Sequence, residues 1–198
     1  MRLLIALLLS SAPLLAACDR QSDEAPQEAV SAPGTNGTQM ESYGGSEEMG
    51  RVSVEYRGTP APDLAFSDPA GETIRLSDFE GQPLLVNLWA TWCPPCIREM
   101  PTLDALAERE ESALKVLTVS QDLQGAEVVE PFFAENSFDH LEQWLDEENA
   151  MMMALAADTL PITVLYDADG RELFRVIGGM DWAGERAETL ISGALGEE

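Results

Sequence analysis

Three kinds of apolar patterning succeed one another along the chain. An apolar run begins at Leu3 and ends in small residues before Cys18. From Asp19 to about Gly50 the sequence is rich in Gly, Ser, Pro and acid and has no apolar period. Beyond Arg51 short apolar blocks recur at strand and helix spacings. Around the turn signal "DPAG", Leu64–Phe66 and Thr73–Leu76 read as short strands, an N-terminal β-hairpin. "LLVNLWA", Leu84 to Ala90, is a nearly continuous apolar run after "GQP", the pattern of a strand buried on both faces. A helix follows with Cys93 as its N-cap and Pro94 in its first turn, where a missing N–H costs nothing. Ile97, Met100, Leu103 and Ala107 give that helix its core face.

"KVLTVS", Lys115 to Ser120, predicts the next strand, and "GAEVVEPFFAEN" a second helix, interrupted or started at Pro131. Asp139 to Leu145 fits neither template, and Glu147 to Ala157 reads as helix. Ile162–Tyr166 and Glu172–Ile177 are strands joined by the "DADG" turn, and Trp182 to Leu195 closes the chain as a helix. The order β-α-β-α, hairpin, α implies an α/β domain with a central mixed sheet flanked by helices. There is no internal repeat.

Length and charge narrow the picture. The chain has 198 residues, enough for one domain with appendages, and 45% of them are hydrophobic, enough for a core. Against 11 Lys+Arg stand 36 Asp+Glu, a net charge of -25, so nucleic acid and anionic lipid headgroups are repelled rather than bound. "MRLLIALLLSSAPLLAAC" has a minimal positive start at Arg2, a short apolar stretch and small residues before a cysteine, the layout of a secretory signal. It is short for spanning a hydrocarbon layer of about 30 Å. "LAAC" resembles the lipobox of bacterial lipoproteins, which implies that Cys18 carries lipid and that residues 1–17 are removed. Asp19 resembles an inner-membrane retention signal. Residues 18–50 then form an acidic, disordered tether, and residues 51–198 the folded domain.

Of the cysteines Cys18, Cys93 and Cys96, lipidation leaves only the pair in "WATWCPPCIREMP" as thiols. Cysteines two residues apart serve as a redox pair, half a metal site or a staple. A structural zinc needs about four Cys or His ligands, and beside the pair stands a single histidine, His140. No metal site is expected. Copper relay is the harder alternative, since Met151–Met153 and His140 are soft ligands; methionines on a helix more commonly pack a core. "DADG" starts like a calcium loop, but the twelfth loop position is Gly178 rather than glutamate.

At a helix N-terminus a thiolate is stabilised by the dipole and free amides, which lowers its pKa and raises its reactivity. Cys93 takes that place as the attacking thiol, and Cys96, one turn in, resolves the mixed disulfide. With proline at both 94 and 95, the Cys96 amide is the first donor to the Cys93 sulfur, so the expected lowering is moderate. Glu99, three residues beyond Cys96 on the same helical face, is placed to move a proton to or from it.

"LLVNLWATWCPPC" resembles the active-site strand and helix start of the thioredoxin superfamily. "WCPPCIREMPTL", with "LPITVLYDADGRELFRVIGGMDW", more closely resembles the membrane-tethered TlpA/ResA-like thiol-disulfide oxidoreductases. The likeness runs from about Pro60 to the C-terminus and is loose between Gln121 and Ala157. It implies a thioredoxin fold, an active-site glutamate at position 99, and a cis-proline at Pro161 opposite the cysteines. A cis bond there would present the backbone of Leu160 to a substrate strand. Trp92, Pro94, Pro95, Leu160 and Pro161 are the implied substrate-binding residues. Ordinary thioredoxins carry a buried acid six residues before the first cysteine, where this chain has Asn87. The implied protein is a monomeric, cofactor-free reductant at the periplasmic face of the bacterial inner membrane. Its clients would be proteins with cysteines or disulfides, such as apocytochrome c or cytochrome oxidase assembly factors, and a membrane electron donor would recharge it. A copper-relay protein or a redox-inert scaffold of the same fold are the competing readings. The "APDLAF…GETIRLSDFEGQP" preamble is shared with peroxiredoxins, but their site needs a threonine three before the cysteine, and Ala90 stands there.

Overall fold

In chain order the strands are β1 (Arg51–Ser53), β2 (Ala65–Ser67), β3 (Thr73–Arg75), β4 (Leu84–Trp89), β5 (Lys115–Ser120), β6 (Trp144–Leu145), β7 (Ile162–Tyr166) and β8 (Glu172–Ile177). The helices are α1 (Pro94–Glu110), α2 (Ala126–Asn136), α3 (Ala150–Ala154) and α4 (Glu185–Leu195). These come from a computed structural model that describes residues 50–196. The expected signal segment 1–17, Cys18 and the tether through residue 49 lie outside the described residues. Among the described residues no helix is long and apolar enough to cross a membrane.

The apolar run at Leu84 becomes the middle of the sheet because both of its faces are covered: every residue of β4 is buried. β5 lies parallel to it on one side and β7 antiparallel on the other. The eight described strands are ordered β1-β8-β7-β4-β5-β6-β2-β3, a mixed sheet. β2 and β3 pair antiparallel, and β2 joins β6 at that edge. β1, too short to register as an apolar block, pairs with β8 and covers the opposite edge.

Alternation along β4 separates two cores. Leu85 and Trp89 pack with Met100, Leu103, Leu106, Trp182 and Ile191 of the α1/α4 side. Leu84, Val86 and Leu88 pack with Leu117, Val119, Met151 and Leu155 on the other. Asn87, in phase with Leu85 and Trp89, therefore faces α1 as a polar residue in an apolar layer.

Four elements differ from the sequence reading. The buried face of α1 is Cys96, Glu99, Met100, Leu103, Leu106 and Ala107, with Ile97 only half-buried, since it lies about 100° round the helix from Cys96. α2 runs straight through Pro131. The helix expected over 147–157 shrinks to Ala150–Ala154. Its start is set by Asn149 in the left-handed region and by Asp146, which accepts from the amides of Ala150 (2.9 Å) and Met151 (2.8 Å); Ala156, at φ 49, follows its end. Of the methionines, Met151 is core while Met153 is exposed. α4 starts at Glu185 rather than Trp182, because the Trp182 amide donates to Thr102 Oγ1 (3.0 Å) and the indole turns inward. The "DADG" segment is a hairpin turn, with Asp167 Oδ1 accepting from the amides of Asp169 and Arg171 and Gly170 at φ 70.

Candidate active site

β4 delivers the chain to the cysteines through Ala90, Thr91 and Trp92. This link is held from the side by Asp122, just beyond β5. The Asp122 carboxylate accepts from the Thr91 amide (2.8 Å), the Thr91 hydroxyl (2.8 Å) and the Ser120 hydroxyl (2.9 Å), and it is 1% exposed. The sequence reading passed over Asp122. Its one signal is its place just after a predicted strand, where functional residues of α/β sheets gather.

Cys93 is the N-cap of α1, with Pro94 and Pro95 as its first two residues. Cys93 and Cys96 are joined in a disulfide with Cα atoms 5.3 Å apart. Both sulfur-bearing residues are buried, Cys93 at 4% exposed and Cys96 at 0%. Trp92 is 65% exposed and Pro94 is exposed, whereas Pro95 is half-buried. The Leu160–Pro161 peptide bond is cis. Leu160 is half-buried and Pro161 buried, at the mouth of β7. The Pro161 carbonyl accepts from the Gly178 amide (2.9 Å), and a Cβ added at Gly179 would lie 3.5 Å from Pro95 Cβ and 3.9 Å from Glu99 Oε2. The cis-proline, the Gly178–Gly179 turn and the start of α1 thus converge. Gly178, at φ 94, needs the freedom of glycine to make that turn.

Glu99 is 3% exposed and lies three residues beyond Cys96 on the buried face of α1. Its Oε1 accepts from Asn87 Nδ2 (2.7 Å), and its Oε2 from the Met180 amide (3.0 Å) and Trp182 Nε1 (3.2 Å). Burial pushes its pKa up to about 7, against the opposing pull of the Met180, Asn87 and Trp182 hydrogen bonds. A group of that pKa gains and loses a proton at neutral pH. Asn87 and Trp182 were recognised in the sequence only as a departure from the thioredoxin pattern and as part of a helix; their joint hold on Glu99 is a product of the fold.

His140 stands apart from the cysteines. Its amide donates to Asp104 (2.8 Å) and its imidazole approaches Glu108 (4.0 Å), positions on α1 that are about 12 to 18 Å along the axis from Cys96. Among the described residues no three His, Cys, Asp or Glu side chains gather as a metal site. A cavity of about 320 Å³ lined by Pro60, Phe79, Leu84 and Tyr166 lies at the end of β4 remote from the cysteines.

A cysteine pair capping the helix after a central strand, with a cis-proline strand beside it, defines the class: a thioredoxin-fold dithiol–disulfide protein. The AhpC/TSA family model matches residues 57–192, and the chain belongs to that family. Ala90, buried where the peroxiredoxin threonine would stand, has no hydroxyl to offer a peroxide. The thiol-disulfide oxidoreductase ResA of Geobacillus thermodenitrificans is 32% identical over 124 residues, 62% of this chain and 70% of that protein. Two solved structures share the fold. StoA from Bacillus subtilis is 25% identical with a TM-score of 0.57, covering 68% of this chain and 98% of its own. A candidate thiol:disulfide interchange protein DsbE from Chlorobium tepidum is 24% identical with a TM-score of 0.63, covering 70% and 96%. The chain is a thiol-disulfide oxidoreductase of the ResA/TlpA-like group.

Proposed function

We propose that this domain is a reductant of client-protein disulfides, tethered by lipid on Cys18 to the periplasmic face of the bacterial inner membrane. The observation that carries the reading is the Cys93–Cys96 pair at the start of α1, with Glu99 buried three residues further along the same helix and its pKa pushed up by burial. In the dithiol form the Cys93 thiolate attacks a client disulfide, forming a mixed disulfide and releasing one client thiolate. Cys96 loses its proton and attacks Cys93 Sγ, closing the Cys93–Cys96 disulfide and releasing the second client thiolate. The client gains two electrons, the pair loses two, and a membrane electron donor restores the dithiol. Glu99 takes the Cys96 proton. Trp92, Pro94, Pro95, Leu160 and Pro161 form the face on which the client strand lies. Apocytochrome c and cytochrome oxidase assembly factors, clients the family resemblance implies, are the proposed substrates.

Trapping tests the reading. Cys96→Ser expressed in cells is expected to accumulate mixed disulfides with clients, whereas Cys93→Ser accumulates none. An absence of trapped clients, with no insulin reduction by the wild type, would leave the redox-inert scaffold instead.

A further inference from the structure

Among the described residues every hydrogen-bond partner of the Glu99 carboxyl is a donor: the Asn87 amide nitrogen, the Met180 N–H and the Trp182 indole N–H. That set suits a carboxylate. A protonated carboxyl carries an O–H, which needs an acceptor, and neither a backbone N–H nor an indole N–H can accept. Asn87 can. Its Nδ2 donates to Glu99 Oε1 (2.7 Å) and to Thr163 Oγ1 (2.9 Å), while its Oδ1 is buried with no hydrogen-bond partner. The two ends of an amide have nearly the same shape, so a half-turn about Cβ–Cγ exchanges donor and acceptor in place.

We propose that Asn87 is a positioning residue whose side-chain amide reverses with the protonation of Glu99, turning Nδ2 to the carboxylate and Oδ1 to the carboxylic acid. After reversal the orphaned oxygen accepts from the Glu99 O–H and from the Thr163 hydroxyl, which changes from acceptor to donor. Nδ2 then occupies a place where no acceptor faces it, so the amide returns once Glu99 ionises. Thr163 is the cross-strand partner of Asn87 in β7, two residues beyond Pro161. The proton state of Glu99 therefore reaches the strand that begins at the cis-proline.

On its own helix the nearest thiol-bearing residues, Cys93 and Cys96, are joined as a disulfide and carry no titrating group in the oxidised chain. β4 contributes the neutral Asn87, β7 the Thr163 hydroxyl behind it, and the 178–182 segment the Met180 amide and Trp182 indole. Asp181 turns away, accepting from the Ala183 amide (3.1 Å). An aspartate at 87 would set two carboxylates in direct contact; the amide keeps the site to a single titrating carboxyl.

The inference rests on the reading of Glu99 as a proton carrier, and NMR on the full oxidised chain separates the two. The Glu99 carboxyl carbon and the Asn87 side-chain NH₂ signals are followed from about pH 5 to about pH 9, bracketing a carboxyl displaced from its usual range. The expected result is one shared midpoint. Asn87→Leu is expected to raise the Glu99 midpoint by about one unit, a tenfold gain in proton affinity, and to move the pH midpoint of disulfide exchange with it. Asn87 signals that stay flat while Glu99 titrates would overturn the switch. The wild-type titration decides the matter if Asn87→Leu fails to fold. A Glu99→Gln variant with the wild-type pH profile of exchange would remove Glu99 from the mechanism, yet the NMR would still decide the amide. A Glu99 that does not titrate in this range overturns both.

Discussion

Glu99 and Glu172 are buried to nearly the same degree, 3% and 2% exposed, but their surroundings differ in one respect. Glu172 faces a cation. Arg175 donates through Nε and Nη2 to its two carboxylate oxygens (2.7 Å each), and through Nη1 to the Leu155 carbonyl (2.9 Å). The Tyr56 ring lies 4.0 Å from the guanidinium carbon. Burial works to lower the pKa of Arg175, but the hydrogen bond and charge of Glu172 outweigh it and hold the guanidinium raised. Glu99 has three neutral donors and no cation, and its pKa climbs to about 7. A buried carboxyl that faces no counter-charge has its pKa pushed towards neutral pH. One carboxylate is tied into the scaffold and the other is the proton carrier we propose.

The contrast is broken most severely at Arg175. Arg175→Met leaves Glu172 buried without its partner, and a loss of about 3 to 5 kcal/mol is expected from denaturant unfolding. The pH midpoint of exchange should stay where it was, since the pair does not touch Glu99; a displaced midpoint would show the two carboxylates coupled. Next comes Glu99→Gln. The folded pKa of Glu99 lies above its unfolded value of 4.5, so the unfolded chain releases the proton first as pH rises. Stability from this group is therefore whole below about pH 4.5, falls as pH rises to about 7 and stays lost above it, a total of about 3 kcal/mol. Glu99→Gln should abolish that slope and unfold later than wild type at pH 8, while differing little at pH 4. The gain should fall short of the full value, because satisfying the glutamine NH₂ requires Asn87 to reverse and leaves the Asn87 Nδ2 without an acceptor. The smallest effect is expected from Tyr56→Leu, which removes the ring beside Arg175 and should cost about 0.5 to 1 kcal/mol at this partly exposed site. An effect above about 2 kcal/mol would mean that the tyrosine supports the pair in some way beyond its ring.

Asp122 marks a different limit of sequence reading. It organises the approach to Cys93 as firmly as any residue of the motif, yet it lies 29 positions from it in the chain. Nothing local identifies it, because its partner Thr91 is brought to it only by the parallel pairing of β4 with β5.

Residues close in sequence are enough for the central buried strand, the cysteine-capped helix and the β7–β8 hairpin: apolar runs, a proline at the first turn and a turn tetrapeptide. The abbreviated α3 is bounded by the Asp146 carboxylate and by left-handed residues close in sequence, whereas the short β1 and the late start of α4 were settled by long-range hydrogen bonds that override local periodicity. So was the character of Glu99. A glutamate on a helix reads the same whether solvated or buried. Only the sheet beneath it and the segment carrying Met180 and Trp182 exclude water, supply donors and withhold a cation, and these are what set its proton affinity.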